Sequence, residues 1–219
     1  MIRAVIFDMD GLLVDSEPHW RAAERDVFDA VGLFLTDEQC KQTTGLPIAA
    51  VADYWFARHP WDETILDRAA VADAITHGAH QRIGRDAEPM PGAVEILDFF
   101  RSKKLPLAIA SASPMSLIEL VIDRLAVRDY FTLWHSATLE IRNKPAPDVY
   151  IGTARRLGVS PVDCIAFEDS GTGLASAVAA GMKTVAVPAD FEYNDPKFDR
   201  AALRISSLCH FTADSFLHL

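Results

Sequence analysis

The 219-residue sequence predicts an α/β protein whose core is a doubly wound parallel sheet, interrupted after its first strand by an insert of α-helices. Two observations support this fold class. Short apolar runs recur along the chain, and helical patterns separate the last three of them. By contrast, residues 17–87 contain helical patterns and no convincing buried strand.

The predicted strands are apolar without alternation, which is typical of parallel strands buried on both faces. They cover residues 4–7, 107–110, 164–167 and 184–187.

Capping residues and glycines mark the helices of the core. One helix is expected after Pro91-Gly92 and another after Ser113-Pro114, with Ser113 as its N-cap; two more are expected over 148–157 and 175–180, and Gly171 and Gly173 are expected in a tight turn. In the insert, Trp20, Ala23 and Val27 fall at helical spacing, and further helices fit residues 48–58 and 63–83.

Acidic residues outnumber basic ones, with 31 Asp and Glu against 21 Lys and Arg and a formal net charge of −10. Nucleic acid and anionic membrane surfaces are therefore not expected as partners. Three dispersed cysteines without CxxC spacing argue against a disulfide framework or a zinc site. Since no apolar run is long enough for a signal peptide or a membrane span, we expect a cytoplasmic protein. We also expect a monomer.

The first predicted strand leads directly into two carboxylates, Asp8 and Asp10. Residues two apart in an extended segment face the same way, so both side chains are expected to project from the carboxyl end of the strand, where open α/β sheets bind ligands. Two close carboxylates repel unless a cation lies between them or one is protonated, and both arrangements are useful in catalysis. A lone pair of this kind is more often a solvated turn.

Three further motifs lie at a strand end or just before a helix. Ser111 and Ala112 lie where the second strand meets a helix N-terminus, which favours an anion. Lys144 precedes a helix and offers a positive charge to a phosphoryl oxygen. Glu168 and Asp169 end the third strand and offer the hard oxygen ligands that suit Mg²⁺. Each motif alone is more typical of a helix cap, a solvated lysine or an acidic helix start, so the combination carries the prediction.

Together the four motifs resemble the haloacid dehalogenase-like phosphohydrolase superfamily, whose catalytic core has a Rossmann-like fold. The helical insert lies where that family places a small α-helical cap domain. The resemblance implies a catalytic core of residues 1–16 and 88–219, and a cap of residues 17–87.

A narrower likeness is to the β-phosphoglucomutase-like sugar-phosphate phosphatases, and within them to bacterial 2-deoxyglucose-6-phosphate and hexitol phosphatases. It rests on residues 15–18, 54–61, 110–114 and 194–196. The resemblance implies that the substrate is a small phosphorylated sugar or sugar alcohol.

The resemblance also implies roles for the motif residues. Asp8 would be the nucleophile that forms an aspartyl-phosphate, and Asp10 would act as the acid and then the base. Mg²⁺ would be held by Asp8, Asp169 and the backbone carbonyl of Asp10, with Glu168 assisting through water. The remaining residues would hold the phosphoryl oxygens, and these are Ser111, Ala112 and Lys144.

Three alternatives to a phosphatase are open. Mutases of this subgroup carry a histidine where Trp20 is found here, which favours a phosphatase over a β-phosphoglucomutase-type enzyme. A 2-haloacid dehalogenase would leave Asp10 and the pair Glu168 and Asp169 without a purpose. A non-catalytic phospho-sugar-binding protein would be expected to have lost one of the core positions, and none is missing.

Candidates for contact with the organic part of the substrate lie in the insert, and they are Glu17, Trp20, Trp55 and Arg58. Trp55 is more typical of cap core than of a sugar platform, and Arg58 of a solvated helix residue. The cap turn at residues 45–48 lacks the arginine that related phosphatases often place there. His135 follows a short apolar strand candidate and is expected to be a structural histidine, since Asp10 already accounts for acid–base chemistry.

Overall fold

The computed structural model describes residues 1–44 and 46–219, so Gly45 of the predicted cap turn lies outside the described residues. The chain forms two compact units. One contains Met1–Asp15 and Glu88–Leu219, and the other contains Ser16–Ala87. None of the helices in the described ranges has the length and apolar character needed to cross a membrane.

The first unit is built on a parallel sheet of six strands, and the predicted fold class is confirmed. The strands are β1 (Ala4–Phe7), β2 (Leu107–Ser111), β3 (Leu133–Ser136), β4 (Cys164–Glu168), β5 (Lys183–Ala186) and β6 (Leu203–Arg204), in the spatial order β3-β2-β1-β4-β5-β6. The chain winds outward in one direction from β1 to β3 and then in the other from β4 to β6. The two directions part between β1 and β4, the switch point where sheets of this kind bind ligands.

The four predicted strands correspond to β1, β2, β4 and β5, and every residue of β1, β2 and β4 is buried. The other two strands are edge strands: β6 was not predicted, and β3 was predicted only as a short apolar candidate that ends before His135. The first two residues of β3 and both residues of β6 are only half-buried, so neither has the continuous apolar pattern of a central strand. His135, predicted to follow a strand, lies inside β3.

The helices of this unit are α5 (Ala93–Ser102), α6 (Met115–Arg124), α7 (Asp148–Leu157), α8 (Gly171–Ala179) and α9 (Ala213–Leu217). Helix α7 ends as predicted at Gly158, whose φ of 70° is in the left-handed region. Two predictions for this unit were wrong. Pro114 and not Ser113 occupies the N-cap of α6, and Gly171 and Gly173 lie in the first turn of α8, because the hydroxyl of Ser170 caps that helix by accepting from Gly173 N.

Aromatic side chains pack β1 and β4 against α5. The rings of Phe7 and Phe167, paired across the two strands, stack with centroids 5.0 Å apart. The ring of Phe100 from α5 meets both of them edge-on, with centroids 6.2 and 5.7 Å away. This buried layer fixes the register of the two strands whose carboxyl ends carry the acidic motifs.

In its described residues the second unit contains helices and connecting loops but no strand. Its helices are α1 (Glu17–Ala30), α2 (Asp37–Cys40), α3 (Ile48–Arg58) and α4 (Arg68–Asp86). Helix α4 buries one side chain per turn, namely Val71, Ile75, Ala79 and Ile83. The predicted start of this helix at residue 63 was wrong, because Asp67 caps it by accepting from Ala70 N at 2.8 Å.

The two ends of the first unit that flank the insert are hydrogen-bonded to each other. Asp15 N donates to Glu88 O at 3.0 Å, and Met90 N donates to Leu13 O at 3.0 Å. Val14 and Pro89 form an antiparallel bridge between these two bonds. The chain therefore leaves this unit after Asp15 and re-enters it at Glu88, directly alongside.

Candidate active site

Strand β1 ends at Phe7, and the next residues form a tight loop that carries the first acidic motif. Leu13 N and Val14 N both donate to Met9 O, at 2.9 and 3.2 Å, and Gly11 has a φ of 74°. A Cβ at Gly11 would overlap the carboxylate of Asp169, so this position also permits a close approach of two acidic segments. Asp8 lies at the base of the loop with only 6% of its surface exposed.

Lys144 reaches the carboxyl end of the sheet and is buried there. Its Nζ donates to Asp8 Oδ1 at 2.6 Å, to Glu168 Oε1 at 2.7 Å and to Ala110 O at 2.9 Å. All three ammonium protons thus have an acceptor. Burial alone lowers the pKa of this lysine, but the charges of Asp8 and Glu168 outweigh burial and hold its pKa above the ordinary value. Lys144 is therefore a charged, fixed cation, and its simpler interpretation as a solvated loop lysine was wrong.

Glu168 is fully buried, and polar contacts fix both of its oxygens. Besides the bond from Lys144, Oε1 accepts from the hydroxyl of Tyr150 at 2.6 Å, and Oε2 accepts from the hydroxyl of Ser170 at 3.2 Å. A Cβ at Gly173 would overlap the Glu168 carboxylate, so the first turn of α8 leaves just enough space for it. Glu168 is consequently held in one orientation.

Three carboxylates converge at this edge of the sheet. Asp8, Glu168 and Asp169 each offer an oxygen, and the three oxygens lie within 4.8 Å of one another. Burial, followed by the charges of neighbouring carboxylates, raises the pKa of Asp169 well above its ordinary value; burial likewise raises the pKa of Asp8 to about 7, although Lys144 opposes it.

Three carboxylates that face a single ammonium group leave an excess of negative charge in a buried place. Hard oxygen donors with this spacing and charge fit a small divalent cation such as Mg²⁺.

Asp10 faces a different set of partners from Asp8. Its Oδ2 accepts from the hydroxyl of Ser113 at 2.7 Å, and the hydroxyl of Ser111 lies 3.5 Å from the same oxygen. Its Oδ1 is buried and has no hydrogen-bond partner among the residues that the structure describes. The side chain of Asp10 is not one of the three converging carboxylates, and a contribution of its backbone carbonyl to a metal stays a prediction.

The predicted anion-binding segment follows β2. Ser111 is buried, and its hydroxyl accepts from Ser113 N at 3.0 Å. Ala112, between the two serines, is exposed. The structure therefore brings six of the predicted residues to one edge of the sheet, namely Asp8, Asp10, Ser111, Lys144, Glu168 and Asp169. The seventh, Ala112, directly follows Ser111 in the chain.

The four candidates in the insert all lie in the helical unit, and their contact with a substrate stays a prediction. Glu17 pairs with Arg21 at 3.4 Å, and the ring of Trp20 meets His80 edge-on at 5.9 Å. Trp55 is buried. Arg58 lies over the ring of Tyr54, 3.5 Å from its centroid.

His135 is a paired structural histidine, as its surroundings in β3 indicate. Its Nδ1 is 2.7 Å from the guanidinium of Arg156 and its Nε2 is 2.8 Å from Glu140 Oε1. Burial and then the charge of Arg156 lower its pKa. Since a guanidinium can only donate, Nδ1 accepts and Nε2 carries the proton.

Three residues of the site were missed from the sequence. Tyr150 lies in α7 without a motif around it, and Ser113 was interpreted only as a helix cap. Ser170, which directly follows the acidic pair, was given no role. Ser113 and Ser170 could have been found because each lies next to a predicted motif. The sequence gives no such signal for Tyr150, because its contact with Glu168 spans 18 residues.

The fold and the site together define a class: an α/β protein with a carboxylate and lysine centre at the switch point of a parallel sheet. The chain belongs to the haloacid dehalogenase-like hydrolase family, whose model matches residues 2–181. The superfamily that the four motifs predict is therefore confirmed.

The predicted narrower likeness is confirmed by curated relatives. The chain is 38% identical over 217 residues to hexitol phosphatase B of Escherichia coli, covering 99% of this chain and 97% of the relative. It is 32% identical over 183 residues to a fructose-1-phosphate phosphatase of the same species, covering 84% and 95%. Among solved structures, CbbY from Rhodobacter sphaeroides in complex with phosphate superimposes with a TM-score of 0.81 at 26% identity, covering 96% of each chain.

Proposed function

We propose that this protein is a Mg²⁺-dependent phosphomonoesterase that hydrolyses phosphate esters of hexoses and hexitols through an aspartyl-phosphate. The observation that carries the proposal is the buried contact of Asp8 with Lys144, beside Glu168 and Asp169, at the carboxyl ends of β1 and β4. The whole-chain similarity to a hexitol phosphatase and the similarity to a fructose-1-phosphate phosphatase support the substrate class.

The first step transfers the phosphoryl group to the protein. A carboxylate oxygen of Asp8 attacks phosphorus while the bond between phosphorus and the sugar oxygen breaks. The departing alkoxide takes a proton from the carboxylic acid of Asp10, so the sugar alcohol leaves neutral. Lys144 holds Asp8 through Oδ1 and places its positive charge beside the transferred group.

The second step returns the protein to its starting state. Asp10, now a carboxylate, takes a proton from a water molecule that attacks phosphorus. The bond between phosphorus and Asp8 breaks, orthophosphate leaves, and Asp10 is protonated again. Ser111 and the backbone beyond it, at Ala112, hold the phosphoryl oxygens near the start of α6.

Asp8 and Asp169 would hold Mg²⁺ directly, with the backbone carbonyl of Asp10, and Glu168 would act through a bound water. When bound, Mg²⁺ supplies positive charge that offsets the charge on the phosphoryl oxygens in the transition state. The fixed orientation of Glu168, set by Lys144, Tyr150 and Ser170, supports this division between direct and indirect ligands.

In this proposal residues 1–16 and 88–219 form the catalytic core. Residues 17–87 act as the cap that selects the organic part of the substrate, with Glu17, Trp20, Trp55 and Arg58 as its candidate contacts. A monomer in the cytoplasm, without nucleic acid or membrane partners, completes the proposal.

The test is a phosphate-release screen with purified protein. Hexose, hexitol, pentose and nucleoside monophosphates are each incubated with Mg²⁺ or with EDTA, and orthophosphate is measured. We expect release to be fastest from hexose and hexitol phosphates, to stop in EDTA and to return with added Mg²⁺. If no phosphomonoester releases orthophosphate and no sugar phosphate is interconverted, the result favours a non-catalytic phospho-sugar-binding protein. Sustained conversion between sugar 1- and 6-phosphates without orthophosphate release, followed by ³¹P NMR, would establish a mutase.

A further inference from the structure

We propose that Ser113 is a positioning residue that holds the acid–base carboxyl of Asp10 and determines which of its two oxygens carries the catalytic proton. The inference rests on the proposed function, because it assigns a role to Ser113 in the proton transfers of Asp10. The contact that carries it is the 2.7 Å hydrogen bond from Ser113 Oγ to Asp10 Oδ2, which joins residues 103 apart in the sequence.

Ser113 is well suited to hold another group because its own backbone is held on both sides. Its N–H donates to Ser111 Oγ at 3.0 Å, and its carbonyl accepts from the hydroxyl of Ser136 at 2.6 Å. The Ser136 hydroxyl is in turn 2.7 Å from Thr138 Oγ1. The ends of β2 and β3 thus fix the residue whose hydroxyl reaches Asp10.

The bond makes the two oxygens of Asp10 unequal. Oδ2 accepts from Ser113 and faces the Ser111 hydroxyl at 3.5 Å, whereas Oδ1 is buried without a hydrogen-bond partner in the described part of the chain. An oxygen that accepts a hydroxyl proton is a poor place for the carboxyl proton, so that proton belongs on Oδ1. From Oδ1 it passes to the sugar alkoxide as the phosphorus–oxygen bond breaks, and the same oxygen later takes the proton of the attacking water.

Two other roles for Ser113, helix capping and phosphate binding, do not account for its hydrogen bond to Asp10. Pro114 is the N-cap residue of α6, and Ser113 makes no capping bond there. A direct role on the phosphoryl group would need the hydroxyl proton that Ser113 gives to Asp10. Phosphate binding by Ser113 and positioning of Asp10 by Ser113 predict different kinetic effects, so an experiment can distinguish these two roles.

The experiment compares two substrates that differ in their need for an acid. Sorbitol 6-phosphate releases an alkoxide that must be protonated, whereas p-nitrophenyl phosphate releases a phenolate that leaves without a proton. The value of kcat/KM reports the steps up to phosphoryl transfer, so the ratio of kcat/KM between the substrates measures acid catalysis. Four variants are compared with the unaltered protein, namely Asp10→Ala, Ser113→Ala, Ser113→Thr and the exposed control Ser116→Ala.

We expect Ser113→Ala to lower kcat/KM about tenfold or more for sorbitol 6-phosphate and less than about threefold for p-nitrophenyl phosphate, since general acid catalysis typically contributes 10²–10⁴-fold. KM should change little. Ser113→Thr keeps the hydroxyl and should restore most of the activity on sorbitol 6-phosphate. Ser116→Ala, on the exposed face of α6, should leave both substrates unchanged.

Equal losses on the two substrates in Ser113→Ala would overturn the inference and would assign Ser113 to phosphate binding. The Asp10→Ala variant separates this failure from a failure of the proposed function. If Asp10→Ala itself shows no difference between the substrates, Asp10 is not the acid; if it does and Ser113→Ala does not, only the positioning role is wrong.

A second variant covers the case in which Ser113→Ala does not fold. Ser136→Ala removes the hydroxyl that holds the Ser113 carbonyl and touches neither Asp10 nor the converging carboxylates. We expect kcat/KM to fall by about threefold for sorbitol 6-phosphate and by less for p-nitrophenyl phosphate, because Ser113 is then held less firmly. No selectivity in this variant, with folding verified by circular dichroism, would also contradict the positioning role.

Discussion

At the scale of single residues, the centre of the site depends on Lys144. The hydrogen bonds that this side chain makes to Asp8 and Glu168 span 136 and 24 residues of sequence. Removing one partner of a buried ion pair leaves the other charge uncompensated, which costs far more than the pair contributes by itself. Substitutions in the site should therefore be chosen to keep volume and hydrogen bonding wherever possible.

Asp8→Asn is such a substitution. It keeps the side-chain volume but removes the oxygen nucleophile, and Glu168 and Ala110 O still accept from Lys144. We expect orthophosphate release to fall by at least about a thousandfold, in the range seen when a covalent nucleophile is lost. Circular dichroism should be unchanged. The exposed neighbour substitution Asp15→Asn is the matched control and should retain activity, and activity retained in Asp8→Asn would rule out the proposed nucleophile.

At the scale of elements, the first turn of α8 shapes the site through its glycines. Gly173→Ala would place a Cβ against the fixed carboxylate of Glu168, whereas Gly171→Ala would meet only the flexible side chain of Lys197. We expect Gly173→Ala to lower the free energy of unfolding by about 1–3 kcal/mol, as overpacking does, and to weaken Mg²⁺ binding. Gly171→Ala should be neutral or stabilising, because alanine favours a helix over glycine by roughly 0.5–1 kcal/mol.

Urea unfolding and a Mg²⁺ titration of both glycine variants test this prediction. Equal effects at the two positions would show that helix propensity, rather than the space around Glu168, decides the outcome.

A second prediction for a single element concerns Glu24, a buried carboxyl in helix α1. This carboxyl is 6% exposed, its Oε2 has no hydrogen-bond partner in the described residues, and the thiol of Cys40 is a neighbour, with Glu17 and Arg21 on the same helix. Burial, which the Cys40 hydrogen bond opposes, raises the pKa of Glu24 from 4.5 to about 7.

Because the folded state holds this proton more tightly than the unfolded state, stability falls as the pH rises from about 4.5 to about 7 and is level above that. A shift of this size corresponds to at most about 3 kcal/mol. Glu24→Gln cannot ionise, so we expect it to be more stable than the unaltered protein at pH 8 and equal to it near pH 4.5.

Urea unfolding at several pH values between about 4.5 and 8, monitored by tryptophan fluorescence, measures this difference. The exposed substitution Glu38→Gln is the control, with no pH-dependent difference expected. A difference between Glu24→Gln and the unaltered protein that does not vary with pH would mean that Glu24 does not titrate in this range.

At the scale of the whole molecule, the net charge of −10 has a local component. Four acidic side chains lie at one edge of the sheet around a single lysine, and they are Asp8, Asp10, Glu168 and Asp169. A divalent cation bound there should stabilise the folded state by about 3 kcal/mol at one hundred times its dissociation constant. In a chain of this size, that raises the unfolding temperature by roughly 5–10 °C.

Thermal unfolding with Mg²⁺, against NaCl at matched ionic strength, measures this stabilisation. Asp169→Asn removes one of the three converging carboxylates and should abolish most of the shift. The same shift in Asp169→Asn would place the bound cation elsewhere.

Much of the sheet and its acidic edge could be predicted because short sequence patterns match the structure there. Continuous apolar runs marked the central strands, and the acidic motifs lay at their carboxyl ends. Of the edge strands, β6 was missed and β3 was recognised only as a short candidate before His135, since a half-exposed edge needs no continuous apolar pattern. The helix start at Arg68 was missed because Asp67, a single capping residue, overrides the apolar spacing upstream.

The site was predicted where it depends on residues at strand ends and was missed where it depends on distant packing. Asp8 and Glu168 lie at the carboxyl ends of β1 and β4, which the apolar runs predicted, and Lys144 was predicted from its position just before a helix. The bond from Tyr150 to Glu168 and the bond from Ser113 to Asp10 depend on how side chains point in the folded state. No short sequence pattern carries that information.

The hydrogen-bonded pair formed by Asp15 and Glu88 has an evolutionary consequence. A segment whose two ends meet at neighbouring backbone groups can be lengthened, shortened or exchanged without shifting the sheet to which it is joined. Asp8, Asp10 and Lys144 all lie outside Ser16–Ala87. Descendants of one ancestral chain could thus acquire new substrate preferences through changes in Ser16–Ala87 alone, while the residues at the edge of the sheet are inherited unchanged.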